Sequence, residues 1–311
     1  MSYPLIEIDL KKIYHNAKTI NSKCNEKNIS VSGVIKGTNG SLEIAKEFEK
    51  AGHNHIASSR IRELIQISLS DVKLPTMLIR LPMISEIENL VKYINISLNS
   101  ELKTIMKIEE ECLRQNKKHN IILMLDLGDL REGYFFDENI IETALYIENN
   151  LKFVTLYGIA TNLSCYGSVM PTVNNLSRLC DVATKIEALI NRPLEIISGG
   201  ATSTLPLVFN DTIPKKINNL RIGEGILLAI DLEEFWGIDM SDMYKDSLII
   251  KCEIIEIKTK PSHPIGKLFI DAFGNKPNYI DLGNRKRALL ALGKKDIGDH
   301  TKLIPFDNNI K

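Results

Sequence analysis

ISVSGVIKGTNGSLEIAKEF, residues 29–48, is the stretch on which the fold turns. The run Ile29 to Lys36 is apolar and β-branched enough for a strand buried on both faces. Gly37-Thr38-Asn39-Gly40 then punctuates the chain, and Leu42, Ala45 and Phe48 recur at helical spacing. Strand, turn and helix in that order make one βα unit. The same alternation continues outward, with strands predicted at His55 to Ser59, Thr76 to Leu81, Ile94 to Asn99, Ile121 to Leu127, Val154 to Thr161, Leu194 to Ser198 and Asn219 to Ile222. Between them lie helical repeats such as Leu102, Ile105, Met106 and Leu176, Leu179, Cys180, Ala183, Ile186, Ile190. Eight such units in about 200 residues predict an α/β chain closed into a (β/α)₈ TIM barrel, whose site lies at the C-terminal strand ends. An open doubly wound sheet is the alternative.

After Trp236 the texture changes. Leu248 to Lys258 alternates like an antiparallel strand, Pro261, Pro264 and Pro277 interrupt, and shorter runs follow at Lys267 to Ala272 and Arg287 to Leu292. Residues 1–235 are therefore read as the barrel domain and 236–311 as a second, mainly β domain, with the alternating opening residues 1–10 pairing with that tail. A helix is predicted from Lys11 to Lys23.

Charge is balanced, 39 Lys plus Arg against 39 Asp plus Glu, and basic stretches such as Lys117-Lys118, Arg285 to Arg287 and Lys294-Lys295 are scattered. Nothing here calls for nucleic acid or an anionic membrane. Glu7 and Asp9 break any apolar leader, and no apolar run approaches the roughly 18 residues of a membrane helix, so a cytoplasmic location is expected. Five cysteines, Cys24, Cys112, Cys165, Cys180 and Cys252, form no Cys-x-x-Cys pair and are expected as thiols. The six histidines make no hydrolytic or metal-binding pattern, so no metal is expected.

The chemistry concentrates at strand ends. Lys36 leaves an apolar strand into a glycine-bounded turn, where a partly desolvated amine could attack an aldehyde, although a lone lysine more often snorkels to solvent. The seventh strand ends in Ser198-Gly199-Gly200-Ala201-Thr202-Ser203-Thr204 and the eighth in Arg221-Ile222-Gly223-Glu224-Gly225. Barrels often hold phosphate between these two loops on backbone N–H groups, and tight turns are the competing reading. Arg221, between Leu220 and Ile222, needs an acceptor if buried. Asp126 to Gly133 and Thr161 to Gly167 are further polar strand ends.

These residues together resemble the fold-type III pyridoxal-phosphate enzymes, and most closely the alanine/ornithine racemase family on its ornithine racemase side. The runs that carry the resemblance are Val34-Ile35-Lys36, Leu81-Pro82-Met83-Ile84-Ser85-Glu86, Ile96 to Leu102, Asp126 to Gly133, Thr161 to Gly167, Ile196 to Gly200, Asn218 to Glu224 and Asp271 to Pro277. The resemblance implies pyridoxal 5′-phosphate in a Schiff base with Lys36, which also serves as one acid/base group. It implies Ser198, Gly200, Thr202, Ile222 and Gly223 around the phosphate, Arg221 on the pyridine nitrogen, Arg131 near the phenolic oxygen and Asn162 beside the ring. An arginine does not give up its proton, so the ring nitrogen stays unprotonated and the ring is a weaker electron sink, which favours simple reprotonation. The family also implies a small amino-acid substrate and a homodimer.

Three departures stand out. Gly40 occupies the place of a phosphate-holding tyrosine, Lys267 that of a catalytic tyrosine, and the family continues with closing strands after Pro305-Phe306-Asp307, so the tail domain is read as incomplete. Racemisation needs proton transfer on both faces of the α-carbon, and Cys165, Tyr166 and Asp271 are the candidates for the face opposite Lys36. The expected activity is racemisation of ornithine or a similar basic amino acid, whose ammonium Asp129, Glu132 or Asp271 would meet. The alternatives are alanine racemisation and a non-catalytic pyridoxal-phosphate carrier; decarboxylation would need a Cys-Asp substrate motif that is not found.

Overall fold

The computed structural model describes residues 2–307 and 309–310. The chain divides into two compact units, Asp9–Ser247 and a smaller one that joins the residues up to Ile8 to those from Leu248 onward.

In the larger unit, eight parallel strands close into a barrel: β2 (Ser30–Val34), β3 (His55–Ser58), β4 (Thr76–Leu78), β5 (Ile96–Asn99), β6 (His119–Met124), β7 (Val154–Ala160), β8 (Ile196–Ser198) and β9 (Asn219–Ile222). Pairing of β2 with β9, Ser32 opposite Arg221 and Gly33 opposite Ile222, completes the ring and removes every sheet edge. This is the TIM barrel that the alternation predicts, and the open sheet is excluded. A cluster of Val34, Ala57, Met77, Ile96, Leu98, Ile122, Met124, Ala160 and Ile196 draws on β2 to β8. On β9 the period-two face that matches theirs carries Asn219 and Arg221 instead, both buried.

Local chemistry sets the helices. The Asp9 carboxylate accepts the N–H groups of Lys11 and Lys12 and starts α1 (Leu10–Asn25). Ser41 does the same for α2 (Leu42–Lys50), burying Ile44, Ala45 and Phe48. Thr172 and Asn175 cap the helix Val173–Ile190 reciprocally, which then buries Leu176, Leu179, Cys180, Ala183 and Ile186. No helix among the described residues is long and apolar enough to cross a membrane.

The boundary between units lies at 247/248 rather than 235/236. Met240 and Met243 are buried, Asn16 of α1 hydrogen-bonds Tyr244 in both directions, and Ser247 donates to the Leu227 carbonyl, so this segment is stitched to the barrel. In the smaller unit β1 (Leu5–Ile8) pairs antiparallel with β10 (Leu248–Lys251), and β11 (Ile254–Pro261) with β12 (Asn284–Leu290). The run Lys267 to Ala272 is not a strand: the Asp271 carboxylate accepts from the N–H groups of Phe273 and Asn275 and folds a turn.

Candidate active site

The strand ends of β2, β8 and β9 are adjacent, which brings Lys36 and both glycine loops to one sector of the rim. Lys36 opens a short 3-10 turn, Lys36–Thr38, just beyond its strand rather than inside it. The turn is held by the Ile35 carbonyl, which accepts from the N–H groups of Thr38 and Gly40 and from the Thr38 hydroxyl. Lys36 is exposed, and among the described residues its ammonium makes no hydrogen bond or ion pair. Gly40 sits at φ +73°, and a Cβ there would lie 2.6 Å from Cβ of Glu63. A tyrosine, or any side chain, is excluded from that place by packing.

The two phosphate-type loops are tied together. The Arg221 N–H donates to the Gly200 carbonyl at 2.9 Å and the Gly225 N–H to Thr202 Oγ1 at 3.1 Å, which leaves the Thr202 hydroxyl proton free to donate. At Gly223 a Cβ would approach Cβ of Val34 to 3.0 Å, so the absence of a side chain lets β9 leave the barrel hard against β2. Ser198 behaves differently from its expected role. Its hydroxyl is buried, donates to Asn219 Oδ1 at 2.7 Å and receives Arg221 Nη1 at 2.5 Å.

Arg221 is 4 % exposed, and its second hydrogen bond, from Nη2, reaches the Thr161 carbonyl at 2.6 Å. Burial pulls its pKa down to about 10, with Glu132 and Cys165 pushing it up and Arg131 down, so the guanidinium stays charged at neutral pH. Arg131 forms a two-pronged ion pair with Glu132, one contact at 2.6 Å. It follows Leu130, a non-glycine residue held at φ +57°, the kind of strained backbone that accumulates at functional sites.

Among the buried polar atoms without a partner, three lie at strand ends of the barrel. At the end of β7, Thr161 Oγ1 and Asn162 Nδ2 are both in this state. At the end of β5, Asn99 gives its Nδ2 to Ser97 and leaves Oδ1 unpaired. A planar, polar aromatic phosphate fits this set: unpaired ring-side groups, a fixed cation, and two glycine loops with N–H groups to spare.

The remaining candidates separate. Cys165 and Tyr166 are exposed on the loop after β7, and Tyr166 is tied through its N–H to Asp129. Asp271 and Lys267 lie in the smaller unit, with the Asp271 carboxylate committed to its own turn. Asp129 is spent as well: its oxygens accept the N–H groups of Ser164, Tyr166 and Val169. Burial would raise its pKa, but the backbone donors of Tyr166, Val169, Gly167 and Cys165 win and hold it below the carboxylate range. Glu132 is paired with Arg131. Carboxylates that the sequence did not single out, Glu101 and Glu142, line a cavity of about 400 Å³ beside Tyr134 and Asn139. Among the described residues no group of three or more His, Cys, Asp or Glu could hold a metal.

Residues 8–229 match the family described as alanine racemase, N-terminal domain. The chain is 42 % identical to the ornithine racemase of Acetoanaerobium sticklandii over 99 % of its own length and 86 % of the relative's. It is 37 % identical to the lysine racemase of Thermotoga maritima over 100 % and 86 % of the two lengths. In shape it is similar to the alanine racemase of Clostridium difficile 630, with a TM-score of 0.65, 19 % identity, and 83 % and 70 % of the two chains covered. The chain belongs to the alanine racemase family.

Proposed function

We propose that this chain is a pyridoxal-phosphate-dependent racemase that interconverts the L and D forms of a basic amino acid, ornithine first and lysine second. The observation that carries the reading is Arg221, a buried and still charged guanidinium on β9, next to the strand that leads to Lys36, held by neutral acceptors only. Identity over nearly the whole chain to an ornithine and a lysine racemase supports the substrate class.

In this reading Gly200, Thr202, Ile222 and Gly223 hold the phosphate, through backbone N–H groups and the Thr202 hydroxyl. Asn162 and Thr161 supply the unpaired ring-side groups, and Arg131 faces the phenolic oxygen. The bound cofactor supplies an electron sink that makes the substrate α-proton acidic. Arg221 sets how deep that sink is, because a guanidinium that keeps its proton leaves the ring nitrogen unprotonated. Lys36 anchors the cofactor and moves the α-proton on one face. On the other face the proton passes to Cys165 or Tyr166. Both are exposed on the loop after β7. A homodimer, as the family resemblance implies, is part of the proposal.

The test is to incubate the protein and pyridoxal phosphate with L-ornithine, L-lysine and L-alanine and to measure each D-enantiomer, with Lys36→Ala as control. D-Ornithine formation that vanishes in the control is expected. Cofactor absorbance without any product sinks the racemase and leaves a carrier. α-Deuterium exchange in Cys165→Ala and Tyr166→Phe, followed from each enantiomer, assigns the second face; a variant that keeps both directions removes its residue.

A further inference from the structure

An unbroken line of hydrogen bonds runs through the barrel and ends on Arg221, and its polarity is fixed by elementary chemistry. Arginine has only donors, so Nη1 gives a hydrogen to Ser198 Oγ. Ser198 Oγ in turn gives its own to Asn219 Oδ1. That orients the Asn219 amide with Nδ2 toward β2, where it lies 3.1 Å from both Ser30 Oγ and Ser32 Oγ. Ser32, having accepted there, donates to Nδ1 of His55 at 3.1 Å. His55 can accept because burial holds its pKa down to about 4 and leaves the ring neutral. None of Ser32, His55, Ser198, Asn219 and Arg221 is more than 7 % exposed, so water does not compete at any link.

We propose that Asn219 and Ser198 are positioning residues that fix the plane of the Arg221 guanidinium, and that the Ser198 hydroxyl is thereby withdrawn from phosphate binding. A buried arginine is ordinarily held by a carboxylate, whose charge would neutralise it. Here both acceptors, Ser198 Oγ and the Thr161 carbonyl, are neutral, so geometry is enforced while the positive charge is left to act on whatever the guanidinium faces. The neutral acceptor at Ser198 works only if its own proton has somewhere to go, which is what Asn219 provides. Ser30, Ser32, Asn219 and Arg221 meet across the β2 and β9 seam because register sets Ser30 opposite Asn219 and Ser32 opposite Arg221. The relevance to catalysis rests on the proposed cofactor reading; the relay itself does not.

The test uses the full chain with and without pyridoxal phosphate. Nitrogen-15 spectra of the Arg221 side chain are expected to show distinct, slowly exchanging Nη groups in the native protein. In Asn219→Ala and Ser198→Ala these signals merge, pyridoxal phosphate binds about tenfold more weakly, as expected when a buried polar group loses its partner, and inorganic phosphate binds within about twofold of native. Ser32→Ala, which leaves Ser30 as an acceptor for Asn219, gives a smaller change of the same sign and serves if Asn219→Ala does not fold. Unchanged Arg221 signals in Ser198→Ala, with pyridoxal phosphate and inorganic phosphate weakened equally, overturn the proposal and return Ser198 to the phosphate. A fixed guanidinium and tight cofactor in a protein that makes no D-amino acid count against the proposed function, not against the relay.

Discussion

Asp129→Asn keeps the size of the side chain but removes its charge and half of its acceptors. The native carboxylate takes the N–H of Ser164 at 3.1 Å and of Val169 at 3.2 Å on Oδ1, and that of Tyr166 at 3.0 Å on Oδ2. An asparagine satisfies one side with its oxygen and turns its NH₂ toward an N–H on the other, donor against donor. Losing one hydrogen bond to a charged acceptor in a buried place costs about 2–3 kcal/mol, which is about 30- to 150-fold in a local opening equilibrium. Amide hydrogen exchange at neutral pH reads that factor directly at Ser164, Tyr166 and Val169, while amides of the central strand β6 serve as the internal standard. The pH dependence has a definite sign. The folded carboxyl titrates below its ordinary value, so its stabilisation is complete above about pH 4 and is lost as pH falls through the lower folded value; the asparagine variant lacks this step. Were Asp129 the partner of a substrate ammonium, the substitution would raise KM for ornithine selectively. Protection within about twofold of native, together with a selective KM effect, refutes the assignment of Asp129 as a loop clamp.

Gly40→Ala forces a Cβ to within 2.6 Å of Glu63 Cβ at a left-handed backbone. The conformation alone costs about 1–2 kcal/mol, and displacing the turn adds to it; urea midpoints and cofactor affinity should both fall, and a neutral substitution would show that the turn at Lys36 is slack. His53, His55 and His119 are each held near a pKa of about 4 by burial, so they fold neutral. Stability is therefore flat above about pH 6.5 and drops toward pH 4 by about 1.4 kcal/mol per pH unit for each histidine; denaturation midpoints that do not move over that range contradict it. Cys24 and Cys112 are buried and Cys165 is exposed, so an alkylating reagent should modify Cys165 first, and bound cofactor with substrate should slow that reaction; indifference to occupancy places Cys165 outside the site.

The barrel was legible because its strands are short apolar runs and its helices carry caps and spacing that need no partner to be recognised. Strand ends were read too long by a few residues at Lys36, Leu81 and Leu127, since hydrophobicity continues past the point where pairing stops. The domain boundary was missed for a related reason: Met240, Met243 and Ser247 have no periodicity, and what binds them to the barrel is a buried asparagine, Asn16, on a helix far away in sequence. In the site, Arg221, Asn162 and the glycine loops could be named from strand-end position and family likeness. The state of their polar atoms could not. Whether Asp129 faces a ligand or three backbone N–H groups is decided by a loop from a different strand, and whether Ser198 is free is decided by Asn219. A signal for Asn219 was nevertheless present: in Asn219-Leu220-Arg221-Ile222 the polar residues alternate onto one period-two face, as Ser30 and Ser32 do on the neighbouring strand β2.

That polar face has an energetic logic. Filling the seam between β2 and β9 with Asn219, Ser30, Ser32 and Ser198 forgoes apolar packing, at roughly 25 cal/mol for each Å² not buried, and returns only the modest net value of satisfied hydrogen bonds. Stability alone would favour valine and isoleucine there, as on the other strands of the ring. What apolar residues could not do is hold a charged guanidinium still without cancelling its charge. Gly40 has no room for a tyrosine beside Glu63, and the Ser198 hydroxyl is turned toward Arg221; under the proposed function, phosphate recognition then falls to backbone N–H groups and Thr202. Under the proposed function, the Ser198 hydroxyl serves the arginine rather than the phosphate, and an arginine in that place favours reprotonation of the substrate over the other reactions such a cofactor can support.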